Sequence, residues 1–233
     1  MHWFCRLFFV GLMILSGCGT VVSRGSGQTG ERLGEIAVEL VVLSEDDQRW
    51  EQMVIQGEAP EDVEERKAFF AEKSRLMVER GERCEAIFEE VGFPDYEMVG
   101  KEASDAFWII VQHCDHDPDF QERVVVAMRS VVEREAADGV KLAYLTDRVL
   151  VNSGRAQMYG TQLGYEFELA RAFPKNSIDE VEGVGARREE VGLEPLVVYM
   201  NSMSELFFIM NEERLRENGV EGAYVYPEGF GDW

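Results

Sequence analysis

The sequence predicts a mainly α fold: a single helical domain with one small β-hairpin packed on the helices. Three observations carry this. Apolar residues recur at helical spacing over most of the chain from Glu31 to about residue 218. Only one stretch, between Val140 and Thr161, changes period around an Asn-Ser-Gly turn signal. The chain has 233 residues, 45% of them hydrophobic, which suffices for one domain with a real core.

The first element is a long helix over Glu31 to Gln56, with Leu33, Ile36, Ala37, Leu40 and Leu43 on one stripe and Trp50 and Val54 continuing it less cleanly. Gly57-Glu58-Ala59-Pro60 breaks it. Pro60 is placed to start a second helix, whose acidic Glu61 and Asp62 suit the N-terminal dipole. Phe69-Phe70, Leu76-Met77 and Arg83-Cys84 repeat every seven residues, so this helix packs lengthwise. Gly92-Phe93-Pro94 ends it, and Asp95 to Gly100 reads as a loop.

Ala103 to Val111 is apolar on every face and is therefore a central helix, delivering Gln112 and His113 to the edge of the core. Asp117 and Pro118 supply the cap and first residue of the next helix, leaving Asp115 and His116 in a tight corner. That helix presents Phe120, Val124, Ala127, Met128 and Val131, with Gln121 on its first turn, and ends near Asp138-Gly139. Val140 to Arg148 fits a short helix. Val149 to Val151, the turn Asn152 to Arg155 and Ala156 to Thr161 then read as the hairpin, near residues 149–161. Tyr165 to Gly183 reads as irregular. Leu196, Met200, Met203, Phe207 and Met210 give a last amphipathic helix, before a Gly- and aromatic-rich tail over residues 219–233.

The chemistry is concentrated in two polar runs that follow buried segments, Gln112 to Pro118 and Tyr144 to Gln162. Folded together, they would line one pocket. In it His113, oriented by Asp115 or Asp147, has the residue types of a general base. Gln112, Gln121, Arg148, Gln157, Tyr159, Thr161 and Gln162 would supply ligand contacts. His113 and Asp115 have metal-binding character, yet only Asp117, Asp147 or His116 could supply the third ligand a site needs, so no metal or other cofactor is expected. The same residues also admit a purely structural reading, with Asp117 as a cap and Asp147-Arg148 as an ion pair bracing the hairpin. The number of long polar groups at one core edge favours a site.

The runs Gln112-His113-x-Asp115-x-Asp117-Pro118-x-Phe120-Gln121, Tyr144-Leu145-Thr146-Asp147-Arg148-Val149 and Gln157-x-Tyr159-Gly160-Thr161-Gln162 resemble the signature of an uncharacterised bacterial domain-of-unknown-function family. Arg187-Arg188 before Val191-Gly192-Leu193 and Tyr199 add to that resemblance. It implies that these residues belong to one shared design, and it implies no activity.

At the N-terminus, His2 and Arg6 precede the apolar run Leu7 to Leu15, which is too short to span a bilayer as a mature helix. Residues 1–17 are therefore expected to be a signal peptide. Leu15-Ser16-Gly17-Cys18 resembles a bacterial lipoprotein box, which implies cleavage before Cys18 and acylation of its thiol, with palmitate-type chains holding the protein to a membrane. Residues 18–30 then form a tether, and the domain faces the periplasm or the exterior of the cell envelope. The formal charge of −22 argues against nucleic acid, whose phosphates need a basic patch. Cys84 and Cys114 remain for the folded domain, as a disulfide or as two buried thiols.

These readings converge on a lipid-anchored envelope protein with a polar pocket for a small or peptide-like ligand. The alternatives are an envelope hydrolase using His113 as its base and a structural or scaffolding lipoprotein.

Overall fold

The structure, a computed structural model, describes residues 27–227. The expected signal segment and Cys18 lie outside the described residues, as do residues 228–233 of the tail. The fold class is the expected one, mainly helical with one small antiparallel hairpin. The chain forms two compact units, one up to Asp138 and one from Gly139 onward.

Among the described residues, the regular elements of the first unit are all helices. α1 (Gly27–Ile55) begins inside the expected tether, so Gly27 to Gly30 form its first turn rather than a loose linker. α2 (Val63–Val91) starts later than Pro60, because Asp62 is the residue whose carboxylate accepts the Glu64 and Glu65 amides at 2.9 and 3.0 Å. It ends at Gly92, whose φ of +74° lets the chain leave the helix without a Cβ penalty. Asp95 caps a single turn, α3 (Tyr96–Val99), where a loop was expected.

α4 (Lys101–His113) is the central helix. It packs against both α1 and α2, and its Phe107, Ile110 and Val111 are buried with Ile36, Leu40 and Ile87. Each such side chain contributes roughly 1.5–3 kcal/mol relative to exposure. Phe93 meets Phe107 edge to face at 5.6 Å. α5 (Pro118–Glu133) starts as predicted, with Pro118 first and Asp117 accepting from the Phe120 amide at 2.9 Å. It stops at Glu133, earlier than Asp138-Gly139.

The second unit corrects the hairpin's position. Val149 to Val151 belong to α6 (Gly139–Asn152), because Leu142, Leu145 and Val149 lie on one buried helical face. That burial outweighs the strand preference of two valines. The hairpin is instead β1 (Leu163–Glu166) with β2 (Arg171–Pro174), in the stretch expected to be irregular. Leu163 pairs with Pro174 and Glu166 with Arg171, and Ala170, at φ +47°, closes the connection.

Three further helices follow, α7 (Val184–Glu190), α8 (Leu196–Met210) and α9 (Glu212–Glu217). β2 packs on α8, and the core there is Leu163, Ala172, Val184, Leu196, Tyr199, Met200 and Tyr226. The outer edge of β2 is covered. Ser204 accepts the Ala172 amide at 2.9 Å, and the Tyr226 hydroxyl donates to the Ala172 carbonyl at 2.7 Å. The described part of the tail is thus a packed, extended arm. No described helix is long and apolar enough to cross a membrane.

Candidate functional site

In the first unit, three helices bring charged groups to one place. α1 supplies Asp46 and Asp47, α2 supplies Arg80, and the last residue of α4 is His113. The His113 Nδ1 lies 2.8 Å from Asp47 Oδ2. Arg80 Nη1 stands 3.6 Å from Asp47 Oδ1, while its Nη2 is paired with Asp46. Asp47 and Arg80 are both buried, at 3% and 4% exposure, whereas the His113 side chain keeps 14% of its surface.

Burial by itself would push the Asp47 carboxyl up. The His113 hydrogen bond, the charges of His113 and Arg80 and the Gln48 amide outweigh it and hold the group below the usual carboxylate range. An ionised carboxylate only accepts, so the proton between the two sits on Nδ1, and Nε2 is the nitrogen at which the ring gains or loses its second proton. The orienting acid had been expected in Asp115 or Asp147. The carboxylate on Nδ1 is Asp47, 66 residues before the histidine.

The corner after α4 is tightly built. Cys114 donates to the Ile110 carbonyl at 3.2 Å, and its Sγ rests against α2 where Gly81 has no side chain. A Cβ at Gly81 would lie 2.8 Å from that sulfur and 3.1 Å from His116 Cε1. Cys84 and Cys114 are both buried and both remain thiols, and burial pushes the Cys84 thiol well up. Gln121 is fully buried. Its Nε2 donates to the Val111 carbonyl at 2.9 Å and reaches Asp115 Oδ1 at 3.5 Å, so it ties the end of α4 to the start of α5. Asp115 is exposed on the corner. The Oε1 atoms of Gln112 and Gln121 are buried acceptors without a donor among the described residues, which is uncommon in a folded protein.

The second polar run lies wholly in the second unit, its first part on α6 and its remainder, after Asn152, a loop rather than a strand. Asp147, fully buried on α6, holds it. Its Oδ1 accepts the Met158 amide at 2.7 Å and the Tyr159 amide at 3.1 Å, and its Oδ2 accepts the Thr161 amide at 2.8 Å and hydroxyl at 2.9 Å. The carbonyls of the same loop are taken by other side chains. Arg187 donates to Met158 O, Arg188 to Tyr159 O and the Tyr199 hydroxyl to Thr161 O. Gln157 closes the circle, accepting from the Gln162 amide and donating to its carbonyl at 2.8 and 2.9 Å. Gln162 Nε2 reaches the Tyr144 carbonyl at 3.4 Å.

A loop outside the sheet must satisfy its backbone by other means, and here side chains do so for most of it, while the Gln157 backbone bonds those of Ser177 and Asp179. Burial pushes the Asp147 carboxyl up, opposed by those four donors. Arg188, fully buried, donates to the Glu194 and Tyr159 carbonyls and stacks 5.1 Å over the Tyr199 ring. Arg148 is also buried on α6.

The expected site residues therefore divide. Gln112, His113, Asp115 and Gln121 gather in the first unit. Asp147, Gln157, Thr161 and Gln162 gather in the second, as a loop clamp in which Tyr159 takes part through its backbone. Sequence reasoning missed Asp47, Asp46 and Arg80. The one available signal was the acidic pair that interrupts the apolar stripe of α1 before Trp50. Among the described residues, no group of three or more His, Cys, Asp or Glu is placed to hold a metal ion.

In comparison with known families, residues 34–210 match a family described as Family of unknown function (DUF6624). The chain belongs to that family. No curated protein and no solved structure matches it.

Proposed function

We propose, for this member of a family of unknown function, a lipid-anchored cell-envelope protein whose first unit performs acid–base chemistry on a small or peptide-like ligand, with His113 as the base. The observation that carries the reading is the 2.8 Å contact between His113 Nδ1 and the buried Asp47, with Arg80 behind it. A carboxylate there fixes the ring's tautomer and stabilises the imidazolium that forms when Nε2 accepts a proton. In a hydrolysis, Nε2 takes a proton from water, whose oxygen bonds to an acyl carbon. The bond from that carbon to the leaving group then breaks, and the imidazolium gives the proton to the departing atom, which regenerates the neutral ring. Asp47 is a positioning residue in this scheme. The lipid anchor rests on the Leu15-Ser16-Gly17-Cys18 box and the apolar run before it.

The test is hydrolysis of a panel of chromogenic esters and short peptides. His113→Asn is expected to abolish turnover. Asp47→Asn is expected to lower kcat by about 10²–10⁴-fold and to change the pH profile with the ring's tautomer. Turnover unaffected by His113→Asn would refute the assignment. Mass spectrometry of detergent-extracted protein, with Cys18→Ser as control, tests the anchor.

A second reading, binding without chemistry, is favoured by the buried Oε1 atoms of Gln112 and Gln121, which call for a donor-bearing partner. Ligand-dependent thermal stabilisation that survives His113→Asn but not Gln112→Leu would favour it.

A further inference from the structure

α8 reads Leu-Val-Val-Tyr-Met-Asn-Ser-Met-Ser-Glu-Leu-Phe-Phe-Ile-Met, apolar around almost its whole circumference. Such a helix is normally covered on all sides. One side is covered, by β2 and the core around Met200 and Phe207. The other leaves Val198 and Ile209 exposed at 45% and 60%. That side forms one wall of an open groove of about 660 Å³, whose opposite wall is Ala223 to Val225 of the tail, with Val225 itself 72% exposed. The volume falls in the range of ligand-binding clefts.

The polar lining points to the occupant. Two carboxylates, Glu205 and Glu212, line the groove, and none of the described lining residues is basic, the nearest guanidinium being that of Arg216, 5.4 Å over the Phe208 ring and paired with Glu212. Glu212 is paired with Arg216 at 2.9 Å, while among the described residues Glu205 has no ion-pair partner. Asn201 is already engaged, bonding the backbone N–H of Tyr226 at 2.8 Å. A chain of net charge −22 also repels anionic partners and steers cationic ones toward it.

We infer that this groove is a docking surface for a cationic amphipathic peptide segment of a partner protein. Its apolar side chains would cover Val198, Ile209 and Val225, and a Lys or Arg would pair with Glu205. The inference concerns the second unit alone and does not depend on His113.

The experiment is fluorescence anisotropy on the full chain, with a labelled 15-residue helical peptide bearing leucines on one face and lysines beside them, and a counterpart with glutamate for lysine. The lysine peptide is expected to bind and the glutamate peptide not. Ile209→Asp, at an exposed position, and Glu205→Lys are each expected to weaken binding by at least about tenfold with an unchanged circular dichroism spectrum. Equal binding to Ile209→Asp and the parent chain would overturn the inference, since attraction would then be mere charge. So would failure of the lysine peptide to bind. Binding seen only after truncation at Pro227 would overturn it too, by assigning the groove to the chain's own last residues.

Discussion

Asp147→Ala is the substitution on which the account of the second polar run depends most heavily. The carboxylate accepts from three backbone amides and one hydroxyl, at 2.7 to 3.1 Å, inside a fully buried site. Each donor left without an acceptor costs about 1–3 kcal/mol, and water entering the space left by the carboxylate recovers part of that. A loss of about 4–6 kcal/mol is expected, a large share of the roughly 5–15 kcal/mol that holds a folded domain together. Asp147→Asn should cost less, about 2–4 kcal/mol. It keeps one oxygen and avoids burying a charge, but turns an NH₂ group towards donors. Urea titration measures both losses. Hydrogen exchange locates them, because the Met158, Tyr159 and Thr161 amides should lose protection before the α6 amides do. If Asp147→Ala stays within about 1 kcal/mol of the parent chain, or if those amides keep their protection, the carboxylate is not what holds the loop.

Two further outcomes follow from the first unit. The Asp47 carboxyl is held below its ordinary value in the folded chain, so its contribution to stability is full above the unfolded value of about 3.9 and is lost as pH falls through the lower folded value. Asp47→Asn should flatten the urea-derived stability curve over that acid window, and an unchanged slope would contradict the pairing with His113. At Gly81, alanine would gain about 1 kcal/mol of helix propensity but set its Cβ 2.8 Å from the buried Cys114 sulfur. Overpacking of about 1–3 kcal/mol should win, giving a net loss that Cys114→Ala in the same chain reverses, which a double-mutant cycle by thermal melting reads directly.

The helices were legible because their apolar period is long and clean. Asp117-Pro118 and Gly92 marked boundaries correctly, since caps act locally. The hairpin was misplaced for a physical reason. Val149 and Val151 look like strand residues one at a time, whereas the burial of Leu142, Leu145 and Val149 on one face is a property of the assembled helix. The true strands were hidden because Gly164 weakens the alternation of β1 and the turn Phe167–Leu169 separates it from β2.

In the candidate site, His113 stood out from its position at the end of a buried helix. Its acid partner did not, since periodicity within α1 says nothing about which residue of α4 it will meet. The Gln157 to Gln162 run was visible as a cluster. That its backbone would be held by Asp147, Arg187, Arg188 and Tyr199 depended on helices far along the chain.

Asp47, Arg80 and His113 come from three different helices, at intervals of 33 residues along the sequence. No fragment of the chain shorter than that span can assemble the trio, so a cleaved or half-made product would possess an ordinary, unaligned imidazole. Because α1 is the outermost of the three in chain order, a pull applied at the N-terminal end loads it first. Peeling α1 from α4 would separate Asp47 from His113 and at the same time uncover the Phe107, Ile110 and Val111 face that Ile36 and Leu40 help to bury, so the trio and the core of the first unit come apart together.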